Sequence, residues 1–192
     1  MSEAPVLPSY TPDAIGPGRL ILVVGPSGAG KDTLLGFAKA ACVEDANVVF
    51  PRRAVTRESS SSEDNVALSA DAFRQALARG DFAMHWEAHG HCYGLPRAID
   101  DDIRARRSVV VNVSRTVIEA ARRAYANVVV IAITAPPEVL AERIKMRARS
   151  SDGNSEPRLS RTVDAAAPDV TILNVGRPED HARRLVRAIK GE

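Results

Sequence analysis

The sequence predicts an α/β fold in which a doubly wound parallel sheet is flanked by helices. Three observations carry this prediction. Five short, nearly continuous apolar runs recur along the chain, as expected of parallel strands that are buried on both faces. Helical patterns fill most of the intervals between these runs, and a glycine-rich segment directly follows the first one. Such alternation of strand and helix is typical of a parallel sheet with helices on both faces.

The apolar and helical patterns also set the boundaries of these elements. Strands are predicted at residues 20–24, 48–51, 109–113, 128–134 and 170–173. Helices are predicted at residues 31–43, 116–124, 137–149 and 178–190. The last two helices open with a proline at a first-turn position, where the missing N–H has no intrahelical partner to lose.

Composition limits the number of domains and the kinds of partner. The chain has 192 residues, of which 45% are hydrophobic, and its formal net charge is +2. This predicts one domain with a sizeable core, and the lack of a basic run disfavours nucleic-acid binding. No apolar stretch approaches the roughly 20 residues needed to span a bilayer, and no basic and apolar leader opens the sequence. We therefore expect a cytoplasmic protein with small-molecule partners, whose oligomeric state is not predicted.

The predicted organisation is a tail followed by one domain. Residues 1–18 contain four prolines without periodicity, which favours a flexible tail, and residues 19–192 form the domain. Residues 53–107 interrupt the alternation with a serine-rich loop, a short helix, a hairpin turning near Gly90 and a second helix. We interpret them as an inserted substrate-binding subdomain. Residues 147–160 include a polar, breaker-rich stretch that suits a mobile lid, although an ordinary surface loop fits it equally.

The glycine-rich segment has the spacing of a phosphate-binding loop between a strand and a helix. Glycines let the backbone curl so that successive N–H groups face phosphate oxygens, and the positive end of the following helix favours the same anion. Lys31 adds a positive charge near the transferred phosphate. The residues predicted to bind the nucleotide are Gly25, Pro26, Ser27, Gly28, Ala29, Gly30, Lys31, Asp32 and Thr33.

Asp32 departs from the usual form of this loop. The motif G-x-x-x-x-G-K-[ST] ends in a hydroxyl residue that ligates magnesium, whereas here a carboxylate stands at that position and Thr33 follows it. Two like charges about 4 Å apart at an effective dielectric near 20 repel by roughly 4 kcal/mol, so a carboxylate beside phosphates should come with a cation. We therefore predict that Asp32 is a magnesium ligand and acts in catalysis. The alternative is that Asp32 caps the helix N-terminus without any metal.

Two segments of the chain resemble guanylate kinase. Residues 82–97, FAMHWEAHGHCYGLPR, resemble its segment F-L-E-W-A-E-x-x-G-N-x-Y-G-T-S-R, and the Thr-Arg pair ending at Arg57 resembles the start of its T-x-R-x-x-R element. The resemblance implies a P-loop kinase fold in which Arg57, Tyr93 and Arg97 bind substrate phosphates. It also places Arg147 among the lid arginines that clamp the phosphates of ATP or stack on adenine, and Arg147 is predicted to act in catalysis. The other arginines in or beside the lid are Arg143, Arg149 and Arg158.

The mismatches with guanylate kinase fall where that enzyme recognises its base. Met84 stands where a glutamate would pair with guanine, and a thioether offers no carboxylate acceptor to the base N–H groups. Ser60 replaces the second arginine of T-x-R-x-x-R, and Asn65 replaces the tyrosine after that element. We therefore expect this chain to keep phosphate recognition and to lose guanine recognition.

The whole pattern is similar to that of the PhnN family of ribose 1,5-bisphosphate phosphokinases. The similarity lies in GPSGxGKD at residues 25–32, E-x-N-x-A-L-S at 63–69, H-G-x-x-Y-G at 89–94 and V-N-x-S-R at 111–115. It implies transfer of the γ-phosphoryl group of ATP to the anomeric phosphate of ribose 1,5-bisphosphate, with Mg²⁺, to give 5-phospho-α-D-ribose 1-diphosphate in phosphonate catabolism. The acceptor phosphate is already anionic near neutral pH, so no side chain has to act as a base.

The resemblance also suggests why Asp32 is a carboxylate. Guanylate kinases have acidic residues at the end of the strand that corresponds to residues 109–113, where this chain has Asn112 and Ser114. The lost strand-end carboxylate and the gained loop carboxylate are then one exchange, with magnesium held from Asp32 instead.

Two other functions stay open on the sequence. One is a nucleoside monophosphate kinase of altered base preference, which would need a base-pairing side chain that Met84 does not supply. The other is a non-catalytic guanylate-kinase-like binding module. The intact Gly25, Gly30 and Lys31 disfavour that module, because such modules typically lose the phosphate loop.

Overall fold

The computed structural model describes residues 13–57, 64–150 and 167–192, without the side chains of residues 147–150. Its strands are β1 (Arg19–Val24), β2 (Val48–Val49), β3 (Arg53–Val55), β4 (Asn65–Ala67), β5 (Phe82–Ala88), β6 (His91–Pro96), β7 (Ser108–Asn112), β8 (Val128–Thr134) and β9 (Val170–Leu173). Its α-helices are α1 (Lys31–Ala41), α2 (Ala70–Ala78), α3 (Ile99–Arg104), α4 (Ile118–Ala124), α5 (Pro137–Ser150) and α6 (Pro178–Lys190), and a 3₁₀ turn spans Arg115–Val117.

The main sheet is parallel and has the strand order β2-β7-β1-β8-β9. Strand β1 lies at its centre, and all five residues from Leu20 to Val24 are buried. Successive side chains of a strand point to opposite faces. Accordingly, Leu20 and Leu22 pack on one face with α3 and α4, whereas Ile21 and Val23 pack on the other with α1 and α6. The predicted doubly wound parallel sheet is confirmed.

A second sheet lies within the segment predicted as an insertion. Its order is β4-β3-β6-β5, with β3 and β4 parallel and the other two pairs antiparallel. The β5–β6 hairpin turns through His89 and Gly90, both at positive φ. Along β5, Met84 and Trp86 are buried in the cluster that also covers the main sheet, so the two sheets share a core.

The N-terminal boundary differs from the predicted one. The predicted tail extends to residue 18, but the backbone of Ile15 bonds to Ala124 and Ala126, and the Gly18 N–H donates to the Ile103 carbonyl. These bonds fix the last residues of the predicted tail to α3 and to the end of α4. Residues 1–12 lie outside the description, as do the serine-rich loop at 59–62 and most of the predicted lid.

Candidate active site

The phosphate loop is shaped by close backbone approaches. Gly25 has φ +150°, and a Cβ there would clash with the Ile133 carbonyl oxygen of β8. Gly30 has φ +85°, and a Cβ there would clash with the Asn174 side-chain amide. Both positions therefore require glycine for space as well as for conformation. The loop is held tightly between the end of β8 and the residue that follows β9.

Lys31 folds back over this loop. Its ammonium donates to the carbonyl oxygens of Gly25 at 2.8 Å and Pro26 at 3.0 Å. These bonds keep the charge beside the loop backbone, where the predicted phosphate contacts lie. The helix that starts at Lys31 points its positive end at the same place.

Two further side chains brace the loop from outside. Asn174, which is 3% exposed, donates its amide to the Ala29 carbonyl at 2.8 Å. Arg143 of α5 donates to the Gly28 carbonyl at 3.3 Å and to the Asn174 carbonyl at 3.0 Å. Arg143 was predicted to lie beside the lid, and the structure places its guanidinium against the phosphate loop. Nothing in the motif itself marked Asn174 as a brace.

Asp32 reaches across to the end of β7. Its Oδ1 accepts a hydrogen bond of 2.9 Å from the Asn112 side-chain amide. The cap residue of α1 is Gly30, and within the described residues this N-terminus has no side-chain capping bond. The observed contact of Asp32 is thus with Asn112, and two departures noted in the sequence meet in space. Its role as a metal ligand stays a prediction.

The donor set around Asp32 fits Mg²⁺. Magnesium in kinases is held through one or two carboxylates, together with substrate phosphates and water. In the described part of the chain, no group of three His, Cys, Asp or Glu side chains is arranged to hold a metal by itself. Asp32 supplies one carboxylate beside the predicted phosphate site, which suits an ion that the nucleotide brings with it.

The three residues predicted to bind substrate phosphates take different positions. Arg57 follows β3 and is half-buried. Tyr93 lies on β6, where its ring stacks on Trp86 with centroids 5.4 Å apart and an angle of 7°. Arg97 follows β6, and its guanidinium donates to the carbonyl of Gly80 at 2.6 Å and to that of Phe82 at 3.1 Å. These two bonds fix Arg97 to the corner between α2 and β5. The roles of all three residues stay predictions.

Arg53 is a site residue that the sequence patterns missed. From the start of β3 it donates to the Asn112 carbonyl at 2.7 Å and to the Asn65 side-chain oxygen at 3.3 Å. Its guanidinium carbon lies 5.7 Å from the centre of the Tyr93 ring. The available sequence signal was strand alternation, which places residue 53 on the same face as Val55, the cross-strand partner of Tyr93.

A cavity of about 140 Å³ lies between α1, β7 and the second sheet. Its polar lining includes Asp32, Arg53, Asn65, Asn112 and the ion-paired Lys39 and Asp64. The cavity therefore opens directly beside the first turn of α1. A phosphate-bearing molecule in it would lie next to a nucleotide bound to the loop.

Asp64 carries a negative charge at the outer side of this cavity. Lys39 lies 2.7 Å and Arg52 2.6 Å from its two carboxylate oxygens. The hydrogen bond from Lys39 is the main cause that lowers the pKa of Asp64. The same carboxylate thus ties the start of β4 to α1.

In residues 13–57, 64–150 and 167–192, no helix is both long and apolar enough to cross a bilayer.

Comparison with known proteins identifies relatives of the whole chain. No family model matches the sequence. A ribose 1,5-bisphosphate phosphokinase PhnN from Bradyrhizobium diazoefficiens is 64% identical over 194 residues, covering 100% of this chain and 98% of the relative. A protein of the same name from Rhodopseudomonas palustris is 62% identical over 180 residues, covering 94% and 92%.

Among solved structures, guanylate kinase from Anaplasma phagocytophilum has a similar fold. The TM-score is 0.62 with 19% identity, covering 93% of this chain and 87% of that one. This likeness confirms the P-loop kinase fold. Taken with its relatives, the chain belongs to the PhnN family of ribose 1,5-bisphosphate phosphokinases.

Proposed function

We propose that this protein transfers the γ-phosphoryl group of ATP to the anomeric phosphate of ribose 1,5-bisphosphate, giving 5-phospho-α-D-ribose 1-diphosphate and ADP. The observation that carries the proposal is the direct contact of Asp32 with Asn112. It joins a complete phosphate loop to the cavity for the acceptor through two residues typical of the family. The names and the high identity of the relatives support the same reaction.

The reaction needs positioning and charge neutralisation. A non-bridging oxygen of the anomeric phosphate attacks the γ-phosphorus of ATP, and the bond between that phosphorus and the β,γ-bridging oxygen breaks. ADP leaves with the electron pair of that bond. The attacking oxygen is already anionic, so no proton has to be removed. Lys31 and the loop N–H groups stabilise the negative charge that shifts during transfer.

Asp32 would hold the magnesium ion that accompanies ATP. Bound there, the ion would supply positive charge to the phosphate oxygens. The Asn112 amide orients the Asp32 carboxylate by its hydrogen bond, as partners of metal ligands commonly do. The side-chain oxygen of Asn112 is a second oxygen ligand of the kind that Mg²⁺ binds.

The acceptor would be bound by the inserted segment 53–107. We propose that Arg57, Tyr93 and Arg97 contact its phosphates, and that for Arg97 this contact would compete with its bonds to backbone carbonyls. A lid at residues 147–160 would close over ATP, with Arg147 on its phosphates. Because ATP is the donor, we propose the cytoplasm as the compartment.

Identification of the product tests the proposal. The purified protein, ATP, Mg²⁺ and ribose 1,5-bisphosphate are incubated, and ³¹P NMR follows the conversion of the anomeric monophosphate to a diphosphate. We expect a new diphosphate signal at the rate of ADP release, and none with the Lys31→Met variant. Turnover with GMP alone would instead identify a nucleoside monophosphate kinase. A lack of turnover with every acceptor would identify a binding module.

A further inference from the structure

We infer that Arg53 binds the 5-phosphate of the acceptor, the phosphate that is not phosphorylated, and thereby selects a bisphosphate over a sugar with one phosphate. The inference rests on the proposed function, because it assigns one part of that acceptor to one side chain. It starts from the position of Arg53 in the cavity beside the phosphate loop.

Arg53 is linked to the transfer site through a single residue. Its Nη1 donates to the Asn112 carbonyl at 2.7 Å, and the side chain of the same Asn112 donates to Asp32 at 2.9 Å. The guanidinium therefore lies one residue away from the loop carboxylate. That separation leaves the transfer site to one phosphate and provides a cation for another.

The guanidinium of Arg53 is oriented by its surroundings. The side-chain oxygen of Asn65, a residue only 5% exposed, accepts from its Nε at 3.3 Å, and its Cζ lies over the Tyr93 ring, 5.7 Å from the ring centre. Arginine recognises phosphate through a planar fork of N–H donors, and holding the fork in place lowers the entropy lost on binding. Asn65 and Tyr93 thus prepare Arg53 for a phosphate.

Other cations of the described residues have contacts of their own. Lys39 and Arg52 both pair with Asp64, whose lowered pKa keeps it ionised. Arg97 bonds to the carbonyls at the corner between α2 and β5. The contacts that hold Arg53 include a backbone carbonyl, an amide oxygen and a ring face, which orient its charge inside the cavity.

The acceptor itself requires two cationic groups. Its phosphates are separated by the ribose ring, so one group cannot serve both. Arg57, proposed to contact a phosphate of the acceptor, stands four residues after Arg53, beyond the end of β3. Both side chains are long, so the two guanidinium groups can hold the two ends of one sugar. Met84, which is 8% exposed and lies in the core, offers no hydrogen-bond donor to either phosphate.

The test compares two acceptors that share the accepting phosphate. Values of kcat/KM are measured with ribose 1,5-bisphosphate and with ribose 1-phosphate, for the wild type, Arg53→Gln and Arg53→Lys. For Arg53→Gln we expect a fall of about 30-fold with the bisphosphate, mainly through KM, because a hydrogen-bonded charge pair is lost. With ribose 1-phosphate we expect kcat/KM to change by less than about threefold, since this acceptor lacks the 5-phosphate that Arg53 would bind. Arg53→Lys should recover part of the loss.

A second readout uses a ligand that has only the 5-phosphate. Ribose 5-phosphate should inhibit the wild type competitively with the bisphosphate, and its inhibition constant should rise in Arg53→Gln. The matched control is Arg52→Gln, which removes a neighbouring guanidinium that pairs with Asp64 but is not itself part of the cavity lining. It should leave both the acceptor ratio and this inhibition constant unchanged.

The ratio of kcat/KM for ribose 1,5-bisphosphate to kcat/KM for ribose 1-phosphate does not depend on how much of a variant is folded. An equal fall in kcat/KM for both acceptors in Arg53→Gln would show a purely structural role and overturn the inference, while the proposed reaction would stand. If the wild type did not phosphorylate ribose 1,5-bisphosphate at all, the proposed function would fail, and the inference would fail with it.

Discussion

The phosphate loop and the acceptor cavity are adjacent but are held in different ways. The hydrogen bonds that Lys31, Arg143 and Asn174 donate to the loop end on backbone carbonyls: Lys31 on Gly25 and Pro26, Arg143 on Gly28, and Asn174 on Ala29. The cavity is joined mainly by contacts between side chains, as in Asn112 with Asp32 and Arg53 with Asn65. A loop that relies on its backbone tolerates few changes and keeps one function, whereas a cavity built from side chains can change its ligand by substitution.

The difference explains where this family would diverge from guanylate kinases. We expect the donor nucleotide to need the same phosphate contacts in both, and Gly25, Gly30 and Lys31 match the usual loop motif. The acceptor differs, and the residues that differ from the guanylate kinase pattern at positions 32, 65, 84 and 112 lie in or beside the cavity, except for Met84, which is buried in the shared core. Substitutions in the two regions should therefore have separable effects.

The largest effect is expected at the loop. Lys31→Met removes the charge from the transferred phosphate, and we expect kcat to fall by about 100-fold or more with every acceptor. Lys190→Met, at the exposed end of α6, removes the same charge elsewhere and should leave kcat unchanged. The assay is ADP release at saturating ATP. A Lys31→Met variant with a normal kcat would show that this loop does not carry the transfer.

The contact of Asp32 with Asn112 links the two regions, and its substitution should have the next largest effect. Asp32→Asn keeps the acceptor oxygen for Asn112 but loses the charge, so we expect the Mg²⁺ concentration for half-maximal rate to rise by about tenfold or more. Asp45→Asn, in the turn after α1, is the matched control. An unchanged rate and an unchanged magnesium dependence in Asp32→Asn would exclude the metal role.

A double variant tests whether the two departures are one exchange. Asp32→Ser restores the usual end of the loop motif, and Asn112→Asp restores a carboxylate at the strand end. We expect each single variant to be impaired and the double variant to be more active than the two losses combined would give. Additive losses would mean that the carboxylate cannot move between these positions.

A moderate effect on ATP binding is expected at Asn174, which holds the phosphate loop from outside. Asn174→Ala removes the amide donor to the Ala29 carbonyl, and we expect the KM for ATP to rise by about tenfold, the effect of one buried hydrogen bond. The KM for the acceptor should not change. Asn127→Ala is the control, because its amide bonds to Pro17 and Gly18 at the opposite end of the sheet. Equal effects of both variants on ATP would argue against a specific brace.

The smallest effect on activity is expected at Tyr93. Tyr93→Phe keeps the ring against Trp86 and Arg53 but removes the hydroxyl, and we expect the acceptor KM to rise by about fivefold without loss of stability.

Tyr125 provides the contrast to Tyr93. Its hydroxyl donates to Asp100 at 2.7 Å, and Asp100 is 5% exposed. Tyr125→Phe leaves that carboxylate short of a donor, so we expect about 1–3 kcal/mol less free energy of unfolding and an unchanged KM. Burial and the Asp100 bond raise the pKa of Tyr125 above 10.0. The stability it contributes is therefore complete below pH 10 and declines at higher pH, and urea unfolding as a function of pH measures both effects.

Local patterns in the sequence predicted the main sheet well. The helix over 178–190 matches α6, and the strands at 128–134 and 170–173 match β8 and β9. Each of these elements is defined by its own residues, through apolar periodicity or a proline at its start. The predicted helix over 116–124 instead opens with a 3₁₀ turn. The Ser114 side chain accepts from the Thr116 N–H and caps this turn, so the helical segment begins at Arg115, one residue earlier than predicted.

The cavity was harder to predict because its parts are distant in sequence. Asp32 was identified from its motif, and Asn112 from the family pattern, but their hydrogen bond depends on how β7 lies beside β1. Arg53 stands outside every motif, so only the pairing of β3 with β6 brings it to Tyr93. Arg97 matched a motif, yet its contacts with Gly80 and Phe82 come from the turn before β5 and leave no mark in the motif.

The central claim is that the loop sets the donor and the cavity selects a sugar bisphosphate over a nucleotide. The most direct test is the ratio of kcat/KM for ribose 1,5-bisphosphate to that for GMP, measured with the wild type at one ATP and Mg²⁺ concentration. We predict a ratio of about 1000 or more, because Met84 stands where guanylate kinases have the glutamate that pairs with guanine. A ratio near or below one would contradict the claim.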